Sequence, residues 1–199
     1  MASSHNPIKM ETIGLYFELG WKHVLDVSAL DHLFFISAFT LPFNFRDLKK
    51  LLLWTTLFTV GHTLSLVGNY YFALHPSETW IEFLIPLSIL VACLPLLRDS
   101  SQGDSERFMG ALIFLFGIVH GFGFSRYFGM IVPEDSATQA LFSFAFGVEG
   151  AQIIIILGVL ILELLVVRVL GLSKSKWRVI GGAMIASQAL EMTLNNLPI

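Results

Sequence analysis

Three histidines, His32, His62 and His120, lie inside strongly apolar runs, where an imidazole has little to bond with. Carboxylates occupy similar runs: Asp31 beside His32, then Glu82, Glu149 and Glu191. Burying ionisable groups in lipid is costly, so a set of this kind marks functional positions. Imidazole and carboxylate together are good ligands for nickel, cobalt or zinc. Three histidines at one level suit a tetrahedral or expanded site. Thr63, Ser65 and Gln152 are candidates to orient the ligands from behind, with Glu82 and Glu191 as outlying members of that group. Without a metal, the same groups make a proton relay. Retinal chemistry is disfavoured, because no lysine lies deep in an apolar run.

The composition says what must hold these groups. Of the 199 residues, 55% are hydrophobic and only 14% charged. A soluble domain carries about 25% charged residues. Several runs approach or exceed the roughly 20 residues that cross a bilayer. The expected fold class is all-α: a polytopic membrane helical bundle with about six transmembrane helices. The spans read 29–45, 48–73, 79–97, 107–128, 137–167 and 177–196. Residues 10–28 are mixed in polarity and read as an N-terminal interfacial helix, or else as the first turns of a long bent first span. Residues 1–9 read as a leader or disordered tail, and 10–199 as a single transmembrane domain.

Basic residues concentrate in alternate loops, at Arg46, Lys49 and Lys50, at Arg98 and Arg107, and at Arg168, Lys174, Lys176 and Arg178. By the positive-inside rule these loops face the cytoplasm. Both termini are then expected outside, with the chain in the inner (plasma) membrane. The expected partners are the lipid bilayer, a metal ion and further copies of the chain in a homo-oligomer. Nothing points to nucleic acid. Cys93 is the single cysteine, so no internal disulfide forms.

Counting from these inner boundaries puts the candidates at similar depths. His32, His62, His120 and Glu191 each stand thirteen or fourteen residues from the estimated helix end, or about 20 Å. A lone membrane histidine usually just bonds between helices; three of them with carboxylates at one depth favour a functional centre. Thr55, Thr59, His62, Ser65 and Asn69 form one helical stripe. Gly117, Gly121 and Gly123 surround His120, and small residues let membrane helices approach closely.

Five segments carry a family resemblance: "GWKHVLDVSALDHLFF" (20–35), "LFTVGHTLSL" (57–66), "WIEFLIPLSIL" (80–90), "FGIVHGFGFS" (116–125) and "FAFGVEGAQ" (144–152). In this order they resemble the HupE/UreJ family of membrane proteins, most closely its branch with glycine–histidine–threonine/serine in the second span. The resemblance implies a bundle of about six helices and, for some members, nickel or cobalt uptake. It adds His23 to the candidates. Seven residues separate His23 from Asp31-His32 here, where the nickel-associated branch has five.

The resulting expectation is a protein that binds a divalent transition metal (nickel, cobalt or zinc) through His23, Asp31, His32, His62, His120 and Glu149, and transports or delivers it. One alternative is an intramembrane zinc-dependent hydrolase acting near the outer leaflet, with Asp31 or Glu149 as general base. Another is an accessory subunit whose polar layer only locks the bundle.

Overall fold

A computed structural model describes residues 7–28, 30–97 and 105–198, with the side chains of 7–11 and 105–108 outside the description. The fold is all-α. Its helices are α1 (Pro7–Leu25), α2 (Asp31–Thr40), α3 (Leu48–Phe72), α4 (Glu78–Cys93), α5 (Ser105–Ile131), α6 (Ala137–Arg168) and α7 (Lys174–Asn195). Short 3-10 turns precede α3 and α6 and follow α4. Residues 1–6 of the expected leader and Arg98 lie outside the described residues, as does the Arg107 side chain; residues 7–9 are the opening turn of α1.

Four segments are long and apolar enough to cross a membrane: Phe45–Phe72, Glu78–Leu96, Met109–Ile131 and Glu134–Arg168. Helix α7 has the length, at 22 residues, but carries Lys174, Lys176, Arg178, Gln188 and Glu191. The span expected over 29–45 is shorter in the structure. Helix α2 has ten residues, about 15 Å of rise, or half the hydrocarbon thickness. Local chemistry limits it at both ends. Upstream, Asp26 Oδ1 accepts from the Ser28 backbone N–H at 2.8 Å and turns the chain. Downstream, Pro42 has no backbone N–H with which to continue the helical hydrogen bonds.

Helix α1 packs lengthwise on α6 rather than standing apart from the bundle. Their backbones cross at Gly20 and Gly147. A Cβ on Gly147 would meet Trp21 N at 2.9 Å and the Phe17 carbonyl still closer. Tyr16 adds a bond from its hydroxyl to Ile131 O at the end of α5. Helices α3 and α5 form the most extensive pair, and α4 packs on α7. The short α2 sits among α4, α6 and α7, with His32, Phe35, Ile36, Ala38, Phe39 and Thr40 all buried.

The expected cytoplasmic end is fastened by polar groups. Lys174 Nζ donates to Glu163 Oε1 at 2.8 Å and to the Phe43 carbonyl. This ties α6, α7 and the α2–α3 turn together. In that turn, Asn44 and Asp47 make a reciprocal capping box, which satisfies backbone donors at the start of the helix.

Candidate metal centre

Four helices bring one histidine each to a single place. His23 lies in the last turn of α1, His32 is the second residue of α2, and His62 and His120 sit in the middle of α3 and α5. Ring nitrogens of His23, His32 and His62 lie within 4.8 Å of one another, and His120 stands beside this group, in ring contact with His32. The His23 and His32 ring centres are 4.7 Å apart, and those of His32 and His120 are 5.3 Å apart. His32, His62 and His120 are each no more than 2% exposed.

The glycines make this convergence possible. A Cβ on Gly121 would meet Ser65 Cβ at 2.8 Å and His62 Cα at 2.9 Å. A Cβ on Gly117 would meet Phe58 Cα at 3.1 Å. The stripped backbone around His120 therefore lets α3 and α5 press together, so that His62 and His120 share one layer.

The partners of the rings decide which nitrogen is free. His120 Nδ1 is 2.8 Å from Phe116 O. A carbonyl only accepts, so Nδ1 carries the proton and Nε2 keeps its lone pair. His32 Nδ1 is 3.3 Å from Asp31 Oδ1, and a carboxylate acceptor fixes the same tautomer. The Nε2 atoms of His23, His32, His62 and His120 are all buried without a hydrogen-bond partner. An unpaired buried polar atom costs about 1–3 kcal/mol. Four in one place are hard to explain as packing, and they match the needs of a cation that binds neutral imidazole. Phe124 lies against His23 with ring centres 4.1 Å apart, and Phe144 stacks on His62 at 5.9 Å. This apolar wall limits water access and lowers the local dielectric.

The remaining candidates divide by position. Asp31 adjoins the cluster as the group that orients His32. Glu149 stands apart: its Oε1 accepts from Thr56 Oγ1 at 2.6 Å, and Thr56 precedes His62 by six residues, about 9 Å along α3. Gln152 Oε1 accepts from Thr59 Oγ1 at 2.9 Å, and neither touches a histidine in that bond. Ser65 donates to Ile118 O at 2.6 Å and so stitches α3 to α5. Thr63 lines a shallow cleft with Val67, Tyr71 and Thr138, away from the rings. Glu82 and Glu191 are exposed on α4 and α7. The roles of Phe116 O, Phe124 and Phe144 were not legible in advance, although the spacing of Phe116 four residues before His120 is a helical signal for the carbonyl bond.

No curated protein and no solved structure matches the chain. The family described as HupE / UreJ protein matches residues 2–195, a stretch that contains His23, His32, His62, His120, Asp31 and both tight helix crossings. The chain therefore belongs to the HupE/UreJ family.

Proposed function

We propose that this protein carries a divalent transition metal, nickel, cobalt or zinc, across the inner membrane, with His23, His32, His62 and His120 as its ligands. The observation that carries the reading is the set of four buried, unpartnered Nε2 atoms on converging rings. The family's association with nickel and cobalt favours those two cargoes. Asp31 holds His32 in its metal-binding tautomer and supplies one negative charge near the incoming cation.

In this reading α1 and α2 together make the first crossing, broken between Leu25 and Asp31. Helices α3 to α7 make the other five. Six crossings keep both termini outside and Arg46, Lys49 and Lys50 inside. The break places the end of one half-helix and the start of another at the ligand layer, an arrangement found where membrane proteins hold ions. So small a bundle has little room for two rocking halves, which favours a homo-oligomer as the working unit.

The hydrolase reading has less support. It needs a free carboxylate beside the metal to act as base, with a reach of about 3 Å or one water. Asp31 is engaged by His32, and Glu149 is engaged by Thr56, which stands about 9 Å from His62 along α3. A purely structural polar layer is disfavoured by the unpartnered nitrogens, because a lock made of histidines would pair them.

The test combines metal content and uptake. The purified protein is expected to hold metal in fixed stoichiometry, and His62→Ala and His120→Ala are each expected to lose most of it, because each removes a ligand. Proteoliposomes of the wild type are expected to accumulate the same metal. A metal-free wild type under metal-replete conditions would refute the reading, and full retention in both variants would place the site elsewhere.

A further inference from the structure

We infer that Glu149 and Gln152 form a second, weaker station on the same path, which receives the cation from the histidine layer on its way to the cytoplasmic side. This rests on the transport reading above. The observation behind it is a seam of oxygen groups between α3 and α6, directly below His62. One turn below His62, Thr59 Oγ1 bonds Gln152 Oε1 at 2.9 Å, and both residues are buried. Roughly one turn further along α3, Thr56 Oγ1 bonds Glu149 Oε1 at 2.6 Å at the exposed edge of the seam, with Thr56 exposed and Glu149 half-buried. Thr55, at the same level, is fully buried. Beyond them the inner parts of these helices bury Leu51, Ile155, Ile156 and Leu160.

The state of Glu149 makes it more than a link between helices. A carboxylate within a span is costly unless it is paired or used. Its hydrogen-bond partner is a hydroxyl, and no basic side chain lies in ion-pair range of it among the described residues. A glutamine would make the same bond to Thr56 without carrying a charge. The carboxylate therefore has a use that the packing does not supply, and a descending divalent cation supplies one.

The kinds of donor in the seam fit release. Imidazole binds nickel, cobalt and zinc well, whereas amide, hydroxyl and carboxylate oxygens suit harder ions. A cation passing from the histidines to Gln152, Thr59 and Glu149 moves from tighter to looser donors. Conduction requires later sites weak enough to leave. The single charge of Glu149 offsets part of the cost of holding the ion in a region of low dielectric.

The test uses the full chain in proteoliposomes loaded with a metal-sensitive dye, with nickel, cobalt and zinc ions offered separately as probes. Glu149→Gln is expected to keep the wild-type metal-to-protein ratio and melting temperature while uptake falls by about tenfold or more, because the compensating charge is gone. Glu149→Asp, which keeps the charge, is expected to restore a measurable part of the rate. Wild-type uptake in Glu149→Gln would overturn the inference and leave Glu149 as a helix link. Loss of bound metal in that variant would also overturn it, by making Glu149 a ligand of the upper site. If Glu149→Gln is recovered poorly, Gln152→Leu tests the same seam through its buried amide, and unchanged uptake there with intact metal content counts against it. A wild type that binds metal but transports none removes the transport reading itself, a result distinct from a silent Glu149→Gln.

Discussion

Replacing Gly121 by alanine tests whether helix packing sets the geometry of the histidine layer. The added methyl would meet Ser65 Cβ at 2.8 Å and His62 Cα at 2.9 Å, where ordinary carbon contacts lie at 3.4–4 Å. Two of the atoms it meets are backbone atoms of His62, including its carbonyl oxygen, and cannot rotate away. The helices must therefore part by about 0.5 Å or more, against a tolerance of about 0.2 Å in metal–ligand distances. Two effects compete for stability. Alanine gains up to about 1 kcal/mol of helix propensity over glycine, and overpacking costs about 1–3 kcal/mol. The net change is small enough for the protein to fold, while the site loses its fit. Metal affinity, measured by chelator competition on purified protein, is expected to fall about 10–100-fold, the range seen when support of a metal ligand is lost. Gly158→Ala is the control, since nothing lies within 4 Å of a Cβ there, and it is expected to keep wild-type affinity. A folded Gly121→Ala protein with wild-type affinity would refute the reasoning, because it would show that α3–α5 contact does not position His62 and His120.

Asp31→Asn removes the charge and weakens the fixed tautomer of His32, so affinity in the same competition assay is expected to drop about 10–100-fold while saturating metal still fills the site. Glu82→Gln and Glu191→Gln are expected to leave metal content unchanged by elemental analysis, since both side chains are exposed and apart from the cluster; a loss in either would bring an outlying carboxylate into the site. A cysteine placed at Lys49 is expected to react with a membrane-impermeant reagent only from the cytoplasmic face, and reaction from outside would reverse the topology.

The helices from α3 onward were legible because long apolar runs bounded by charge or proline leave few alternatives. The 48–73 run became Leu48–Phe72, and the 137–167 run became Ala137–Arg168. His62 and His120 could each be counted along one helix from a basic loop, and the structure puts His32 in ring contact with both. The same count has no firm start for Glu149, because α6 has 32 residues, about 48 Å of rise, and such a helix gives no clear membrane boundary to count from. Rotation about the axis was harder to read than depth. Thr63 follows His62 by one residue, which turns it by about 100° and away from the rings. His23 carried no apolar pattern of its own, and only the family resemblance brought it forward. The late start of α2 depends on a side chain-to-backbone turn at Asp26, which hydropathy does not record.

The break between α1 and α2 has a geometric reason. His23 and His32 are nine residues apart, and in one continuous helix they would be separated by about 13.5 Å along the axis. Their ring centres lie 4.7 Å apart. Only a break between Leu25 and Asp31 lets the chain double its contribution to the site. The seven residues between His23 and Asp31 thus act through loop reach rather than helix phase, so a change of loop length need not turn either ring away. The break also sets the local field. The C-terminal end of α1 carries partial negative charge, which favours a cation beside His23. The N-terminal end of α2 carries partial positive charge, which opposes one. Asp31 is the first residue of α2, where a carboxylate offsets that end of the dipole. One side chain therefore fixes the tautomer of His32 and neutralises the half-helix that the break exposes, and the break needs such a residue at that position if a divalent cation is to rest between the two helix ends.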